Sequence, residues 1–509
     1  MVRHLPNAEE MRALDRHAIS VLGIPGAVLM EHAGRAVADE VASLAPAGAR
    51  VAVVAGAGNN GGDGFVCARW LRERGRDVVV LLVAGRPRAG ADAALHLDAC
   101  ERAGVRVLPL AGSEGLVFSA AVVVDALLGI GLRDDVTGEL ADAIALMNSA
   151  PGRVVAVDVP SGLCADTGRA RGAAVEADVT VTFGFAKVGL ISSPGCARAG
   201  RIVVAEIGIP LRLAGELGIQ TTLLDAAAAA LLLPVRPASG HKGTFGHLLV
   251  VGGSAGKLGA GLLAAEGALR AGAGLVTLAT APAVRAACEG RLAEAMVAEL
   301  DLDAASGAAA LLRCAEGKGA LVIGPGMSPS ELAGASLRAA LPQLGVPVCL
   351  DADGLNHLAR NVGAATGVAG LVLTPHPGEA ARLLGVTVAE VQTDRVGAAR
   401  RLAQTTGAVV ALKGARTVVA APDGRAAINL SGNAGMATAG SGDVLAGVVG
   451  ALLAAGVAPF SAAGLAVFAH GAAGDLARDE EGEAGVIASS ITQRLGRAFA
   501  ALAGCAGPG

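Results

Sequence analysis

Asn429 to Gly447 reads NLSGNAGMATAGSGDVLAG, and its centre, Gly440-Ser441-Gly442-Asp443, is a glycine turn that leads straight into an apolar helix beginning at Val444. Glycines lacking a Cβ let backbone N–H groups close on an anion, and the following helix points its positive end at the same place. The turn delivers one carboxylate there, positioned to take a proton from a substrate hydroxyl. The plain alternative is a loop-to-helix junction in which Asp443 only caps the helix. The company this stretch keeps decides between the two.

Upstream of it, several predicted strands end in comparable turns. His247 to Val251 runs into Gly252-Gly253-Ser254-Ala255-Gly256-Lys257-Leu258-Gly259-Ala260-Gly261 and then a helix. A Walker A reading fails, because the second Gly of that motif is followed by Lys-Ser or Lys-Thr. LVIGPGM at 321 to 327, VCLDAD at 348 to 353, LTPHPGE at 373 to 379 and VVALKG at 409 to 414 follow the same plan. Lys413, Gly414, Ala415, Arg416 and Thr417 precede another strand and are placed to clasp a nucleotide phosphate. His376, between two prolines, reads equally as a rigid structural residue or a ligand contact. A strand-rich α/β domain whose last glycine turn hands an Asp to a helix resembles the ribokinase-like superfamily. That resemblance implies that Asp443 takes the proton of a hydroxyl being phosphorylated while neighbouring amides form an anion hole.

The first half repeats the strand, glycine turn and helix pattern with different chemistry. After two helices between residues 8 and 45, Val51 to Val54 reads as a strand followed by Gly56-Ala57-Gly58-Asn59-Asn60-Gly61-Gly62-Asp63-Gly64 and a helix. The turn satisfies GxGxxG, yet the acid expected about 20 residues further on for a ribose is missing. Further strands are expected at Val78 to Val83, Ala121 to Asp125, Val154 to Asp158, Val179 to Phe183 and Arg201 to Ile207. In a doubly wound sheet ligands sit at the carboxyl ends of strands, which would gather Asn59, Asn60, Asp63, Asp125, Asp158 and Ser161 in one crevice. Such an oxygen-rich, weakly charged ligand set suits a monovalent cation better than a transition metal. Lys187, beyond the next strand, is either a nearby cation or a solvated surface lysine.

A chain of 509 residues is expected to form two domains, and the rhythm of strands and helices stops between Ile209 and Lys242. Reading this as a linker puts the boundary near 220, with domains 1–220 and 221–509. A formal charge of −4, no basic block and 2% aromatic residues without Tyr exclude nucleic acid as a natural partner. The eight cysteines are scattered without CxxC, as expected of buried thiols in a reducing cytosol. The charged amino terminus lacks the apolar core of a signal peptide. Val444 to Gly474 holds no Asp, Glu, Lys or Arg, but Pro459 interrupts it, so two buried helices too short to span a bilayer are expected rather than a membrane segment.

In combination the motifs resemble the bifunctional NAD(P)H-hydrate repair enzymes, which join an epimerase domain to an ADP-dependent dehydratase domain. MRALDRHAI, LMEHAG, GAGNNGGDG, VVVDALLGIGL, AVDVPSG and FGFAKVGL carry the likeness in the first half. In the second it rests on GTFGHLLVVGGSAGKLGAGLLAAEGALRAGAGLVTL, IGPGM, LTPHPGEAARLL, LKGARTVV and GNAGMATAGSGDVLAG. The fold implied is an N-terminal Rossmann-like doubly wound α/β domain followed by a ribokinase-like α/β domain.

The substrates implied are NADHX and NADPHX, hydrated at C6 of the nicotinamide ring. The first domain would interconvert the R and S epimers, with the dinucleotide held by Asn59, Asn60, Gly61, Gly62, Asp63, Gly129, Ile130, Gly131, Leu132, Arg133, Asp134, Asp135 and Asp158. Asn60, Asp125 and Ser161 would hold K+, and Asp158 with Lys187 would be the acid/base pair. The second domain would dehydrate the S epimer with ADP and Mg2+, giving AMP and phosphate. There Asp443 would be the base, Gly442 part of the anion hole, Lys413 to Thr417 the ADP clasp, and Ala260, Gly326 and His376 hydrate contacts. A cytoplasmic homo-oligomer is also implied. One departure is His32, in MEHAG, where the family usually has Asn. The rival reading is a ribokinase-like kinase of a vitamin precursor fused to a non-catalytic nucleotide-binding domain.

Overall fold

Short Val- and Ala-rich runs that are apolar on both faces form parallel strands in each half of the chain, since a parallel sheet is covered by helices on both sides. The computed structural model describes residues 2–505, which divide into a unit of Arg3–Thr221 and a unit that begins at Thr222.

In the first unit the strands are β1 (Arg50–Ala55), β2 (Asp77–Leu82), β3 (Arg106–Pro109), β4 (Val122–Ala126), β5 (Arg153–Val157), β6 (Val179–Phe183) and β7 (Arg201–Ala205). They form one parallel sheet in the order β3-β2-β1-β4-β5-β6-β7. Strand order reverses between β1 and β4, so the loops after these strands diverge and leave a crevice. Apolar residues on both sheet faces join two cores, one centred on Val53, Phe65 and Val124 and the other on Val54, Val123 and Met147. β3 was not anticipated, being only four residues and partly exposed.

The second unit has β8 (Thr221–Leu224), β9 (His247–Val251), β10 (Leu275–Thr280), β11 (Met296–Glu299), β12 (Ala320–Ile323), β13 (Val348–Leu350), β14 (Leu371–Leu373), β15 (Val409–Leu412), β16 (Val418–Ala420) and β17 (Ala426–Asn429). Their order is β11-β10-β9-β12-β13-β14-β15-β16-β17-β8. The run from β11 to β15 is parallel, whereas β15, β16 and β17 alternate in direction. Here the reversal lies between β9 and β12. The stretch expected to be a plain linker contains β8, which closes the edge beside β17 and accepts the Leu430 N–H on the Leu224 carbonyl at 3.2 Å.

The uncharged stretch after Val444 lies in two helices, Ser441–Ala454 and Pro459–Glu481. The second has 23 residues, longer than expected, because it continues into Asp475, Arg478 and Asp479. Among the described residues no helix is long and apolar enough to cross a membrane. All eight cysteines are free. Helix Ser441–Ala454 presses against helix Leu258–Arg270 through small residues: a Cβ on Gly447 would lie 2.0 Å from the Ala264 carbonyl oxygen, and one on Gly267 would lie 2.8 Å from that of Val444.

Candidate active sites

The crevice of the first unit opens into a cavity of about 900 Å³ at the carboxyl ends of β1 and β4. Asn59, Asn60, Asp63, Gly129 to Asp135, Asp158 and Lys187 all line it, together with Asp15 from helix Ala8–Ser20. Asn59 and Asn60 start helix Asn59–Glu73, so its free amides face the opening. Gly61 and Gly62 do not line the cavity. Gly61 lies against β1, where a Cβ would sit 1.9 Å from the Gly56 carbonyl oxygen, and Gly62 abuts the Met30 sulfur. Gly61→Ala is therefore expected to destabilise the first unit by about 1–3 kcal/mol, read as an earlier thermal transition of that unit.

Behind the cavity, Asp125 is fully buried and has no cationic partner among the described residues. Its Oδ1 accepts the Ser161 hydroxyl at 2.5 Å and its Oδ2 accepts the Ser161 N–H at 2.8 Å. Burial, only partly offset by those bonds, pushes Asp125 up to about 6. The same hydroxyl lies 3.2 Å from the Leu128 carbonyl oxygen, so one proton serves a cluster with an excess of acceptors. Nearby, Asn60 Nδ2 is buried without a partner, and turning that amide over would present its oxygen instead. An uncompensated buried carboxylate among surplus oxygens fits a weakly held cation.

Asp158 sits just past β5 with φ +64°, a left-handed conformation that turns its carboxylate towards β6. Its Oδ1 accepts from Lys187 Nζ at 2.5 Å, Thr182 Oγ1 at 3.2 Å and the Phe183 N–H at 3.3 Å. Lys187 is fully buried and not a surface residue. His32 Nδ1 donates to the Ile207 carbonyl oxygen at 3.1 Å, which makes it a tether between its helix and the segment after β7.

In the second unit Gly440, at φ +87°, begins helix Ser441–Ala454, and Asp443 is its third residue. The N-cap of this helix is Gly440 and not Asp443, so the cap alternative fails. Burial and then the like charge of Asp351 push its carboxyl up to about 7 against the pull of Lys413. Lys413 Nζ pairs with Asp351 Oδ1 at 2.6 Å, and the Thr374 hydroxyl donates to the same oxygen at 2.8 Å. A Cβ on Gly442 would lie 3.1 Å from that ammonium, which places Lys413 beside the turn. Burial opposes its charge, yet Asp351, Glu379 and Asp443 together hold it above the ordinary lysine value.

The remaining loop, Gly414 to Thr417, is held by Thr417 Oγ1 on the Gly414 carbonyl at 3.0 Å and by Arg416 on that of Leu430 at 2.7 Å. At the β9/β12 reversal the Ser254 N–H donates to the Gly326 carbonyl at 2.7 Å, and a Cβ on Gly326 would lie 3.1 Å from that of Ala260. Lys257, next to them, pairs with Asp353 Oδ2 at 2.9 Å. His376 caps helix Pro377–Leu384, its Nδ1 accepting the Gly378 N–H at 3.0 Å, so in the neutral ring Nε2 carries the proton, 3.4 Å from Glu379 Oε1. Burial and Lys413 keep His376 below the ordinary histidine value.

Sequence reasoning missed Asp15, Asp351, Glu379 and the Lys257–Asp353 pair as site residues. Asp351 and Asp353 carried a signal, since VCLDAD ends a strand; Asp15 lies within MRALDRHAI, but as one acid in an amphipathic helix it was not singled out. Among the described residues no group of three or more His, Cys, Asp or Glu is placed to hold a metal ion. A Mg2+ ion at Asp443 therefore fits only as one carried by nucleotide phosphates with one or two carboxylates, its usual mode.

Two family models match the chain: YjeF-related protein N-terminus over residues 26–189 and NAD(P)H-hydrate dehydratase over residues 248–497. The chain is 44% identical to the bifunctional NAD(P)H-hydrate repair enzyme Nnr of Moorella thermoacetica, covering 97% of this chain and 96% of that protein. It is 40% identical to the enzyme of the same name in Escherichia coli, covering 96% and 93%. Among solved structures, a ribokinase-like superfamily protein (EF1790) from Enterococcus faecalis V583 matches with a TM-score of 0.50 and 26% identity, over 56% of this chain and 97% of that one.

Proposed function

Because the chain belongs to the bifunctional NAD(P)H-hydrate repair enzymes, we propose that its first unit epimerises the hydrates and its second dehydrates the S epimer. The protein as a whole is a hydrate epimerase and nucleotide-dependent dehydratase. The observation that carries the division of labour is the position of Asp443, a carboxyl with raised proton affinity at a helix N-terminus beside the Lys413 ammonium.

Hydroxide leaves carbon poorly, so the C6 hydroxyl is first converted to a phosphate ester. Asp443 takes the hydroxyl proton as oxygen attacks the terminal phosphorus of ADP and AMP departs. The Gly442 amide, the helix N-terminus and Lys413 receive the negative charge. The ring nitrogen then pushes phosphate off C6, and loss of a C5 proton restores the C5–C6 double bond. Ala260, Gly326 and His376 hold the hydrate, while Gly414 to Thr417 hold the nucleotide. Mg2+, arriving with the phosphates, supplies charge neutralisation during transfer.

In the first unit Asn59, Asn60, Asp63, Gly129 to Asp135 and Asp158 bind the dinucleotide, with Asp158 as a proton-transfer group. K+ at Asn60, Asp125 and Ser161 would neutralise the buried Asp125 charge and fix the β1 and β4 loops. Exchange of K+ for a bulky organic cation is expected to slow epimerisation and leave dehydration of the pure S epimer unchanged, followed by NADH absorbance. Wild-type protein with ADP should restore NADH from both epimers of NADHX, and NADPH from those of NADPHX; a phosphorylated vitamin precursor with no NADH formed would favour the kinase reading. A homo-oligomer belongs to the same proposal and is read by sedimentation.

A further inference from the structure

Lys187 has no N–H left to offer a ligand. Its ammonium donates to Asp158 Oδ1 at 2.5 Å, to Thr182 Oγ1 at 2.9 Å and to the Phe183 carbonyl at 3.0 Å, and an ammonium has three N–H bonds. It therefore fixes Asp158 and does not reach a ligand. Loss and return of a C6 hydroxyl still needs two proton-transfer groups, one for the departing oxygen and one for the incoming water.

Five further carboxyls line the same cavity; Asp92, Asp134 and Asp135 are exposed at its rim, whereas Asp15 on helix Ala8–Ser20 and Asp63 on helix Asn59–Glu73 are withdrawn from solvent. Neither side chain makes a hydrogen bond or ion pair with a described residue. Asp63 is nearly fully buried, and that burial, followed by the charges of Asp158 and Asp15, lifts it well above the carboxylate range. That burial disfavours its ionised form and leaves it the less accessible of the two. Asp15 is half-buried, and burial raises it to about 6, with Lys187 and Arg16 opposing and Asp158 assisting. A group that titrates near neutrality gives and takes a proton most readily. Arg12, on the same helix, is engaged with the Ile130 carbonyl at 2.9 Å.

We propose that Asp15 is the second proton-transfer group of C6 epimerisation, paired with Asp158, and that Lys187 is the positioning residue for Asp158. The inference rests on assigning epimerisation to this unit. One carboxyl protonates the C6 oxygen as the C–O bond breaks; the bonding pair leaves with water and the ring nitrogen supplies the pair of a C=N bond. Water then adds to the other face, the C=N pair returns to nitrogen, and the second carboxyl takes the released proton. The two carboxyls hold one proton between them in either direction, and they exchange it with solvent between turnovers.

The test uses the full chain, in which dehydration of the S epimer reports on the integrity of the second unit. R-NADHX consumption is measured with ADP and excess second-unit turnover, across pH, for wild type, Asp15→Asn and Asp15→Glu. In wild type the epimerisation rate should fall as pH rises through about 6, where Asp15 loses its proton. Asp15→Asn should lower kcat for the R epimer by about 100-fold or more with little change in KM, and abolish that limb. Asp15→Glu should restore the rate to within about tenfold and restore the limb. An Asp15→Asn protein with wild-type rate and limb overturns the inference, as do Asn and Glu variants that are equally inactive. Wild type that leaves the R epimer untouched overturns instead the assignment of epimerisation to the chain's first unit.

Discussion

Asp443→Asn is expected to lower the rate of NADH recovery from the S hydrate by about 10²–10⁴-fold, the usual contribution of a general base. The amide keeps the shape of the carboxyl and cannot accept the hydroxyl proton. Because the Asp443 carboxyl lies at about 7, the wild-type rate should fall as pH drops through that value, tenfold per unit in the limit. The sign follows from the role: below about 7 the base is already protonated. Asp351→Asn adds a second check. It removes the like charge that helps hold Asp443 up and leaves Lys413 less compensated, so both effects move the limb to lower pH. The measurement is NADH absorbance against pH for the three proteins. An Asp443→Asn protein within a few-fold of wild type would exclude Asp443 as the base.

The second large effect is expected at Asp158. Asp158→Asn should lower epimerisation by about 10²–10⁴-fold while the S epimer is still consumed at the wild-type rate. A mixture of the two epimers would then be cleared only as far as its S content, with the R epimer remaining at the end of the trace. Chromatographic separation of the epimers over time gives the result directly. The variant also leaves Lys187 buried without its anion, and removing one partner of a buried pair is typically worth about 3–5 kcal/mol. A lower thermal transition is therefore expected alongside the lost rate. Epimerisation at the normal rate by a folded Asp158→Asn protein would remove Asp158 from the mechanism.

The sequence makes the strands and their turns legible because parallel strands buried on both faces are short apolar runs, and glycine turns mark their carboxyl ends. Val51 to Val54 and His247 to Val251 are visible for that reason. Thr221–Leu224 was hidden: it is a short edge strand inside a stretch punctuated by Pro and Gly, and its partner β17 lies about two hundred residues away in sequence. Motif residues such as Asn60, Asp125 and Ser161 stand out because each lies at or shortly past the carboxyl end of a legible strand. Asp15 and Asp351 gain meaning only from three-dimensional neighbours. An acid on a helix face or at a strand end reads the same whether it meets solvent, a lysine or a cavity. Burial decides which, and burial of a polar residue leaves no local trace in composition.

The seam between helices Ser441–Ala454 and Leu258–Arg270 has an evolutionary consequence. With carbonyl oxygens lying closer than van der Waals contact to where the Cβ atoms of Gly447 and Gly267 would be, the helix bearing Asp443 is registered by main chain against main chain. In most cores truncation is the damaging change, and bulk is lost at the expense of stability. Along this seam the hierarchy inverts: adding a single methyl group displaces the helix that carries Asp443, whereas trimming neighbouring side chains leaves the main-chain contact in place. Drift in this family's second unit should therefore run freely through the large aliphatic positions and be barred at the smallest residues, so that immobility of the glycines, not of the leucines, marks a lineage that still turns over hydrate.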